Sequence, residues 1–273
     1  MNIFVTGATG FIGGYFVKEA VQRRHAIYAL RRKGSIPKID LDDSKFKWVE
    51  EALLDDYFKK CEVLVHFAAQ GVSPQSSTWE DAFFSNVQGS LSLWLKAFER
   101  GVKRMIVCGS LAEYGESARQ YEYIPTSAPL EPMGPYASSK AASSLAALAL
   151  GRTQGMDICV IRPSNVYGEG QDERNFWPLL KKAALAGEDF LMTPGDQVRD
   201  FVSVEYVAKY FIDFIEAPKR KNHQRIFHVG SGEPKTLLDF ASEWWLHWNA
   251  SGKILSGALP YRDSEYMRLV PLL

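Results

Sequence analysis

Cysteine is scarce in this chain: Cys61, Cys108 and Cys159 are the only three in 273 residues, and no two of them form a close pair. Two of them lie in apolar strand-like runs and read as small buried hydrophobes, so neither a disulfide nor a metal site is expected. Net charge is missing too, because Lys plus Arg and Asp plus Glu both number 32. A balanced chain has no electrostatic footprint for nucleic acid or for an anionic membrane. No apolar run reaches the ~20 residues of a membrane span. With an apolar strand starting at residue 2, there is no room for a signal peptide. These absences point to a cytoplasmic protein that binds neither nucleic acid nor membrane. There is no internal repeat and no low-complexity linker, and the chain is 46% hydrophobic. That suffices for one large core, or for a main domain with a smaller lobe.

What is present starts with Val5-Thr6-Gly7-Ala8-Thr9-Gly10-Phe11-Ile12-Gly13, which follows an apolar run and opens into a helical pattern. Strand, glycine turn and helix, in that order, are what a dinucleotide needs. Gly7 allows the tight turn, Gly10 leaves the backbone open to a pyrophosphate, and Gly13 lets the helix sit close on its strand. The helix's free N–H groups and positive dipole end then face the phosphates. A helix over 12–23 leads to a strand at Ala26–Leu30, and Arg31-Arg32-Lys33 comes next. An acidic residue there would grip the ribose hydroxyls of NAD, whereas arginine accommodates the extra phosphate of NADP. A solvated basic loop is the plain alternative, but the absence of any carboxylate favours NADP, with NAD as the alternative cofactor.

A strand over 46–49 and an acidic helical segment precede Val63-Leu64-Val65-His66-Phe67-Ala68-Ala69, a fourth strand and its turn. Ala68 and Ala69 are small enough for a flat cofactor to lie against the strand end. His66, inside an apolar strand, is expected to be a satisfied core residue. Residues 79–100 read as one long helix with Phe83, Phe84, Val87, Leu91, Trp94, Leu95 and Phe98 at helical spacing. These aromatics belong to the core or to a subunit interface. A fifth strand over 104–108 ends at Gly109-Ser110, where open α/β sheets bind ligands, although Ser110 could equally cap a turn. A sixth strand over 157–162 follows, and a helix at Val204–Glu216 with a strand at Ile226–Val229 returns the chain to the main sheet. Trp244, Trp245 and Trp248 are expected to pack.

In Gly134-Pro135-Tyr136-Ala137-Ser138-Ser139-Lys140 the proline fixes a helix entry, and the spacing of four puts the Tyr136 phenol and the Lys140 ammonium on one face. A nearby cation favours the phenolate and lowers the tyrosine pKa toward a useful range.

Taken in order, Gly7, Gly10 and Gly13, then Asn86, Ser110 before Tyr114-Gly115, the Tyr136/Lys140 pair, Arg162-Pro163-Ser164-Asn165-Val166-Tyr167-Gly168 and Arg199-Asp200-Phe201-Val202 form a pattern. In it the chain resembles the extended short-chain dehydrogenase/reductases, a group of nucleotide-sugar epimerases, dehydratases and reductases, over nearly its whole length. The resemblance implies an α/β fold: a Rossmann doubly wound parallel sheet, 1–162 plus 197–229, with a smaller C-terminal substrate-binding lobe, 163–196 plus 230–273. It implies cofactor contacts from Gly7, Thr9, Gly10, Phe11, Ile12, Arg31, Arg32, Leu53, Ala68, Ala69, Tyr136, Lys140 and Pro163. It implies that Ser110, Tyr136 and Lys140 are catalytic, and that Asn165, Arg199 and Arg262 bind a nucleotide sugar, the arginines at its diphosphate. Without substrate, Arg199 could instead pair with Asp200 or Glu205. The helix over 79–100 and the one carrying Tyr136 would form a four-helix homodimer interface.

Departures from the pattern narrow the reaction. Sugar-nucleotide dehydratases resemble one another in an Asp-Glu pair directly after the hydroxyl residue, where this chain has Leu111 and Ala112, and Glu113 falls one position late. Ala52 stands where relatives place an aspartate facing the adenine. The segment 109–115 and the tail Leu259-Pro260-Tyr261-Arg262 look like bacterial reductases of 4-keto-6-deoxy sugar nucleotides. The expectation is therefore NADPH-dependent 4-ketoreduction of a nucleotide-linked 6-deoxyhexose, making a precursor of surface polysaccharide. A nucleotide-sugar 4-epimerase is the enzymatic alternative and a non-catalytic NADP-binding regulator the third reading.

Overall fold

Ile3 and Val5 enter one apolar core and Phe4 enters another, as side chains of a strand buried on both faces must. The computed structural model describes residues 1–72, 77–218, 225–263 and 265–273. The strands among them are β1 (Asn2–Thr6), β2 (Ala26–Leu30), β3 (Lys47–Val49), β4 (Val63–His66), β5 (Arg104–Cys108), β6 (Asp157–Pro163), β7 (Asn165–Tyr167), β8 (Phe190–Leu191), β9 (Val198–Ser203), β10 (Ile226–Val229), β11 (Pro234–Thr236), β12 (Ile254–Leu255) and β13 (Arg268–Leu269). The α-helices are α1 (Phe11–Gln22), α2 (Leu54–Phe58), α3 (Trp79–Phe83), α4 (Ser90–Glu99), α5 (Gly134–Gln154), α6 (Phe176–Ala186), α7 (Val204–Glu216) and α8 (Leu237–His247).

Seven strands form the main sheet in the order β10-β6-β5-β4-β1-β2-β3, all pairs parallel. This is the doubly wound sheet expected from the sequence. On one face α1 and α7 bury Phe16, Val17, Phe211 and Ile212 against Ile3, Val5 and Ile161. On the other, Trp94 of α4 and Ala147 and Leu148 of α5 cover Phe4, Leu64 and Val160. Each such large side chain taken fully out of water contributes about 1.5–3 kcal/mol. The helices start where sequence chemistry satisfies their first N–H groups: Ser203 caps α7, Thr236 caps α8, and Pro135 enters the first turn of α5.

The helix expected over 79–100 is not continuous. A π-helical turn, Phe84–Gly89, separates α3 from α4. It buries Asn86, whose amide clamps the loop below it, accepting the Gln70 N–H at 2.7 Å and donating to the Gln70 carbonyl at 3.0 Å and to Ser139 Oγ at 2.9 Å.

The second sheet has the order β11-β9-β13, with β7 alongside β9. Thus β9, grouped with the nucleotide domain from sequence, pairs with strands of the smaller layer. Around α6 and α8, Leu180, Met192, Ala241 and Trp245 make a separate core, and Trp244 and Trp248 pack on Trp177, as expected of packing tryptophans. Buried Asp200 fastens this layer to the main sheet by accepting from the Ser231 N–H at 2.7 Å, the Ser231 hydroxyl at 3.0 Å and the Gly232 N–H at 2.9 Å, just beyond β10. Among the described residues no helix is long and apolar enough to cross a membrane, and no cluster of side chains could hold a metal.

Candidate active site

The main sheet changes direction of winding between β1 and β4, and a cleft opens at the carboxyl ends of those strands, as in open α/β sheets generally. A cavity of about 390 Å³ there is lined by Gly7, Thr9, Gly10, Phe11, Ile12, Ala68 and Ala69, with Arg32 at its edge. Gly7 has φ +73°, and a Cβ on it would lie 2.6 Å from the Ala68 nitrogen; one on Gly13 would lie 2.2 Å from the Gly7 carbonyl oxygen. Both glycines are therefore obligatory for this turn. No side chain caps α1, and its first turn holds no acidic residue. Its leading N–H groups are thus left for an external acceptor, and the turn fits a dinucleotide pyrophosphate.

Beneath the turn lies His66, which is structural as expected. Its ring nitrogens bond Thr6 Oγ1 at 2.8 Å and Ser90 Oγ at 3.0 Å, and burial pulls its pKa down to about 3. The two arginines after β2 diverge. Arg31 lies over the Trp48 ring at 5.1 Å and donates to the Ser35 carbonyl, leaving only Arg32 to line the cleft. Leu53 closes a single 3₁₀ turn after β3, is 44% exposed and does not line the cleft. Ala52 is exposed in the same turn. Pro163 ends β6, buried.

Ser110, Tyr136 and Lys140 come together at the end of β5. Ser110 caps a short 3₁₀ turn, Leu111–Tyr114, and its hydroxyl accepts the Ala112 N–H and hydrogen-bonds the Tyr136 phenol. It is both turn cap and partner of the phenol. Lys140 does not have the expected lowering effect on the Tyr136 pKa. Lys140, buried, turns its ammonium to the Cys108 carbonyl at 2.6 Å. The Tyr136 phenol is pushed above its ordinary range, chiefly by burial, with Cys108 and Glu113 adding to the rise and the Ser110 hydrogen bond opposing it. Helical spacing brings the two residues to one face, but it does not decide which acceptor the ammonium takes.

Glu113, for which the sequence offers no role, is fully buried and makes an ion pair with Arg162, Nε to Oε2 at 2.9 Å, the side chains 0% and 1% exposed. Removing one partner of such a pair costs about 3–5 kcal/mol, because it strands the other charge. Asn86 likewise matched the pattern without an assigned task. It lines the cleft and joins Gln70 to Ser139 of α5.

Of the residues expected to meet substrate, Asn165 starts β7, opposite Phe201 of β9. Arg199, largely buried, donates to the Val198 carbonyl and pairs with Glu265 at 2.9 Å, rather than with Asp200 or Glu205. Arg262 is exposed, and its carbonyl accepts the Glu265 N–H, so the segment carrying it meets Arg199 through Glu265. Ser264 lies outside the described residues.

A model of the NAD dependent epimerase/dehydratase family matches residues 3–230. The chain belongs to this family. A dTDP-glucose 4,6-dehydratase of Streptomyces antibioticus is 30% identical over 265 residues, covering 88% of this chain and 75% of its own length. A UDP-glucose 4-epimerase of Lactobacillus helveticus is 26% identical over 268 residues, covering 88% and 79%. Among solved structures, a dTDP-glucose 4,6-dehydratase from Streptomyces venezuelae with NAD bound superposes with a TM-score of 0.81 at 26% identity, covering 99% of this chain and 88% of that one. In fold, a UDP-N-acetylglucosamine 4-epimerase from Methanobrevibacter ruminantium M1 is similar with a TM-score of 0.88 at 24% identity, covering 100% and 89%. The motifs and the match thus agree on an epimerase/dehydratase-family enzyme of the oxidoreductase type, in a family that acts on nucleotide sugars.

Proposed function

We propose that this protein reduces a nucleotide-linked 4-keto-6-deoxyhexose to the 6-deoxyhexose with NADPH. The observation that carries the reading is the end of β2, where Arg32 lines the cleft and Arg31-Arg32-Lys33 leaves no carboxylate for the ribose hydroxyls of NAD. The hydroxyl-bearing turn supports reduction over dehydration: Leu111 and Ala112 carry no acid, and the carboxylate of Glu113 faces inward to Arg162.

In this reading the glycine turn and the first N–H groups of α1 hold the pyrophosphate, with Thr9, Phe11, Ile12, Ala68 and Ala69 around it and Arg32 at the adenosine phosphate. Lys140 holds the nicotinamide ribose. The bound cofactor supplies hydride. Ser110 and Tyr136 both reach the sugar oxygen, and Tyr136 gives it the proton. A phenol whose pKa burial has raised is fully protonated at neutral pH, the form that a reduction consumes. Asn165, Arg199 and Arg262 engage the sugar nucleotide in the smaller lobe, the arginines through guanidinium–phosphate pairs. Exposed Trp79, Phe84 and Leu145 on α3, the π-turn and α5 supply the apolar surface for a homodimer.

A second reading, nucleotide-sugar 4-epimerisation with retained NAD, is favoured by the 26% identity to a UDP-glucose 4-epimerase. Intact Tyr136 and Lys140 speak against a purely regulatory NADP-binding protein. The deciding experiment follows NADPH and NADH absorbance with dTDP-, GDP- and CDP-linked 4-keto-6-deoxyhexoses. Oxidation preferring NADPH is expected. No oxidation of either, with NAD released on denaturation, would overturn the reductase reading and favour the epimerase.

A further inference from the structure

Ser110 is held from behind by a buried polar chain that continues well past the reacting groups. Glu113 Oε1 accepts the Ser110 N–H at 2.8 Å, while its Oε2 takes Arg162 Nε at 2.9 Å. Arg162 Nη1 donates to the Tyr114 hydroxyl at 2.7 Å, and its guanidinium lies over the Tyr114 ring, 4.6 Å from the centroid. That hydroxyl, already accepting, donates in turn to His228 Nε2 at 2.7 Å. The proton of His228 is thereby confined to Nδ1, which donates to the Leu272 carbonyl at 2.9 Å. Leu272 belongs to a segment anchored on both sides of Ile124, whose carbonyl accepts the Leu272 N–H at 2.9 Å and whose N–H reaches the Val270 carbonyl at 2.8 Å. The Glu113 carboxylate and the Leu272 carbonyl can only accept and the Arg162 guanidinium can only donate, so with His228 neutral the Tyr114 hydroxyl is the donor to Nε2.

We propose that Glu113 and Arg162 are positioning residues for the Ser110 hydroxyl, with Tyr114 and His228 tying them to the segment that carries Leu272. The inference rests on the reaction assigned above to Ser110 and Tyr136. A buried ion pair is a poor source of stability, since well-packed apolar side chains of like volume replace it at little or no loss. What an apolar pair cannot replace is the acceptor for the Ser110 N–H. That bond sets the start of the turn from which the Ser110 hydroxyl meets Tyr136. The chain also makes room for the pair: a Cβ on Gly109 would lie 2.8 Å from Arg162 Cγ and from Glu113 Oε1. The hydrogen bond from Ser110 is, moreover, the influence that favours the Tyr136 phenolate, against burial, Cys108 and Glu113, while Lys140 faces the Cys108 carbonyl.

Two double variants separate positioning from packing. Glu113→Leu/Arg162→Leu fills the space and removes the acceptor. Glu113→Gln/Arg162→Met also removes both charges but keeps an amide oxygen for the Ser110 N–H. Assayed on whichever 4-keto or 4-hydroxy nucleotide sugar the parent turns over, the leucine pair is expected to lose about 30-fold or more in kcat, with KM and cofactor Kd within about threefold. The Gln/Met pair recovers kcat to within about fivefold of the parent. Equal kcat in the two variants, both high or both low, overturns the proposal. Should the leucine pair fail to fold, Glu113→Met/Arg162→Met takes its place. Exchange of the Ser110 amide proton, read by NMR on the full chain, answers without any turnover. It should be about tenfold faster or more in the apolar pair than in the Gln/Met pair, and equal rates overturn the proposal. A parent with neither reductase nor epimerase activity would sink the reaction reading alone.

Discussion

Gly7 and Gly13 shape the glycine turn by fixed backbone contacts, Gly13 against Gly7 and Gly7 against Ala68 beyond β4, whereas Arg199 is held through the long side chain of its counter-ion, Glu265. The first arrangement is steric and admits no substitute. The second is electrostatic, made of long side chains, and any anion of suitable geometry can compete for it. In the proposed reading, the cofactor would thus be recognised by a rigid backbone shape and the sugar nucleotide by exchangeable charged side chains.

The contrast can be broken most severely from the rigid turn. Gly13→Val puts side-chain atoms into the Gly7 carbonyl and should weaken NADPH binding by a thousandfold or more, on the order of 4 kcal/mol, in a fluorescence titration. Tyr136→Phe leaves both arrangements intact and removes the proton donor. It should lower kcat by about 10³-fold with cofactor Kd unchanged, read by NADPH absorbance. Two buried neutral histidines also support the site, His66 below the glycine turn and His228 at the far end of the polar chain behind Ser110, with pKa values pulled by burial to about 3 and about 4. A folded-state pKa below the unfolded value of ~6.5 means that the unfolded chain binds more protons as pH falls. Their stabilising contribution is therefore complete above pH ~6.5 and is lost progressively toward the folded values, roughly 2 kcal/mol for each histidine between pH 7 and pH 5. Urea unfolding at the two pH values should show this slope, and His228→Gln should remove about half of it.

Smaller effects sharpen the comparison. Arg32→Asp should cut the preference for NADPH over NADH about 30-fold in kcat/KM, while Arg31→Gln, whose side chain is spent on Trp48 and Ser35, should shift it less than about threefold. Glu265→Gln frees Arg199 and should lower the KM for the sugar nucleotide by about threefold. A raised KM would mean that the pair serves to hold Arg199 in place.

What was legible in the sequence follows the same division. The limits of β2, α7 and β10 came out at the residues observed, because short apolar runs ended by charged, capping or glycine residues define them locally. The glycine turn was legible for the same reason. Missed features depend on partners distant in sequence. Nothing near Asn86 announces that Gln70 and Ser139 will hold it in a π-turn. Nothing around Glu113 points to Arg162, and the neighbouring acids at 200 and 205 drew attention away from Glu265. The spacing of Tyr136 and Lys140 was read correctly, and its electrostatic consequence was not, because the Cys108 carbonyl took the ammonium.

Asp200 has a further consequence for how ligands come and go. Three donors from Ser231 and Gly232 converge on its carboxylate, so β9 is riveted to the end of β10. Such a joint ties the two layers together at that point. In the proposed reading, admission and release would involve side-chain contacts such as those of Tyr261 with Asp196 and of Glu265 with Arg199. The residence time of a product would then be set by how fast those side-chain latches exchange.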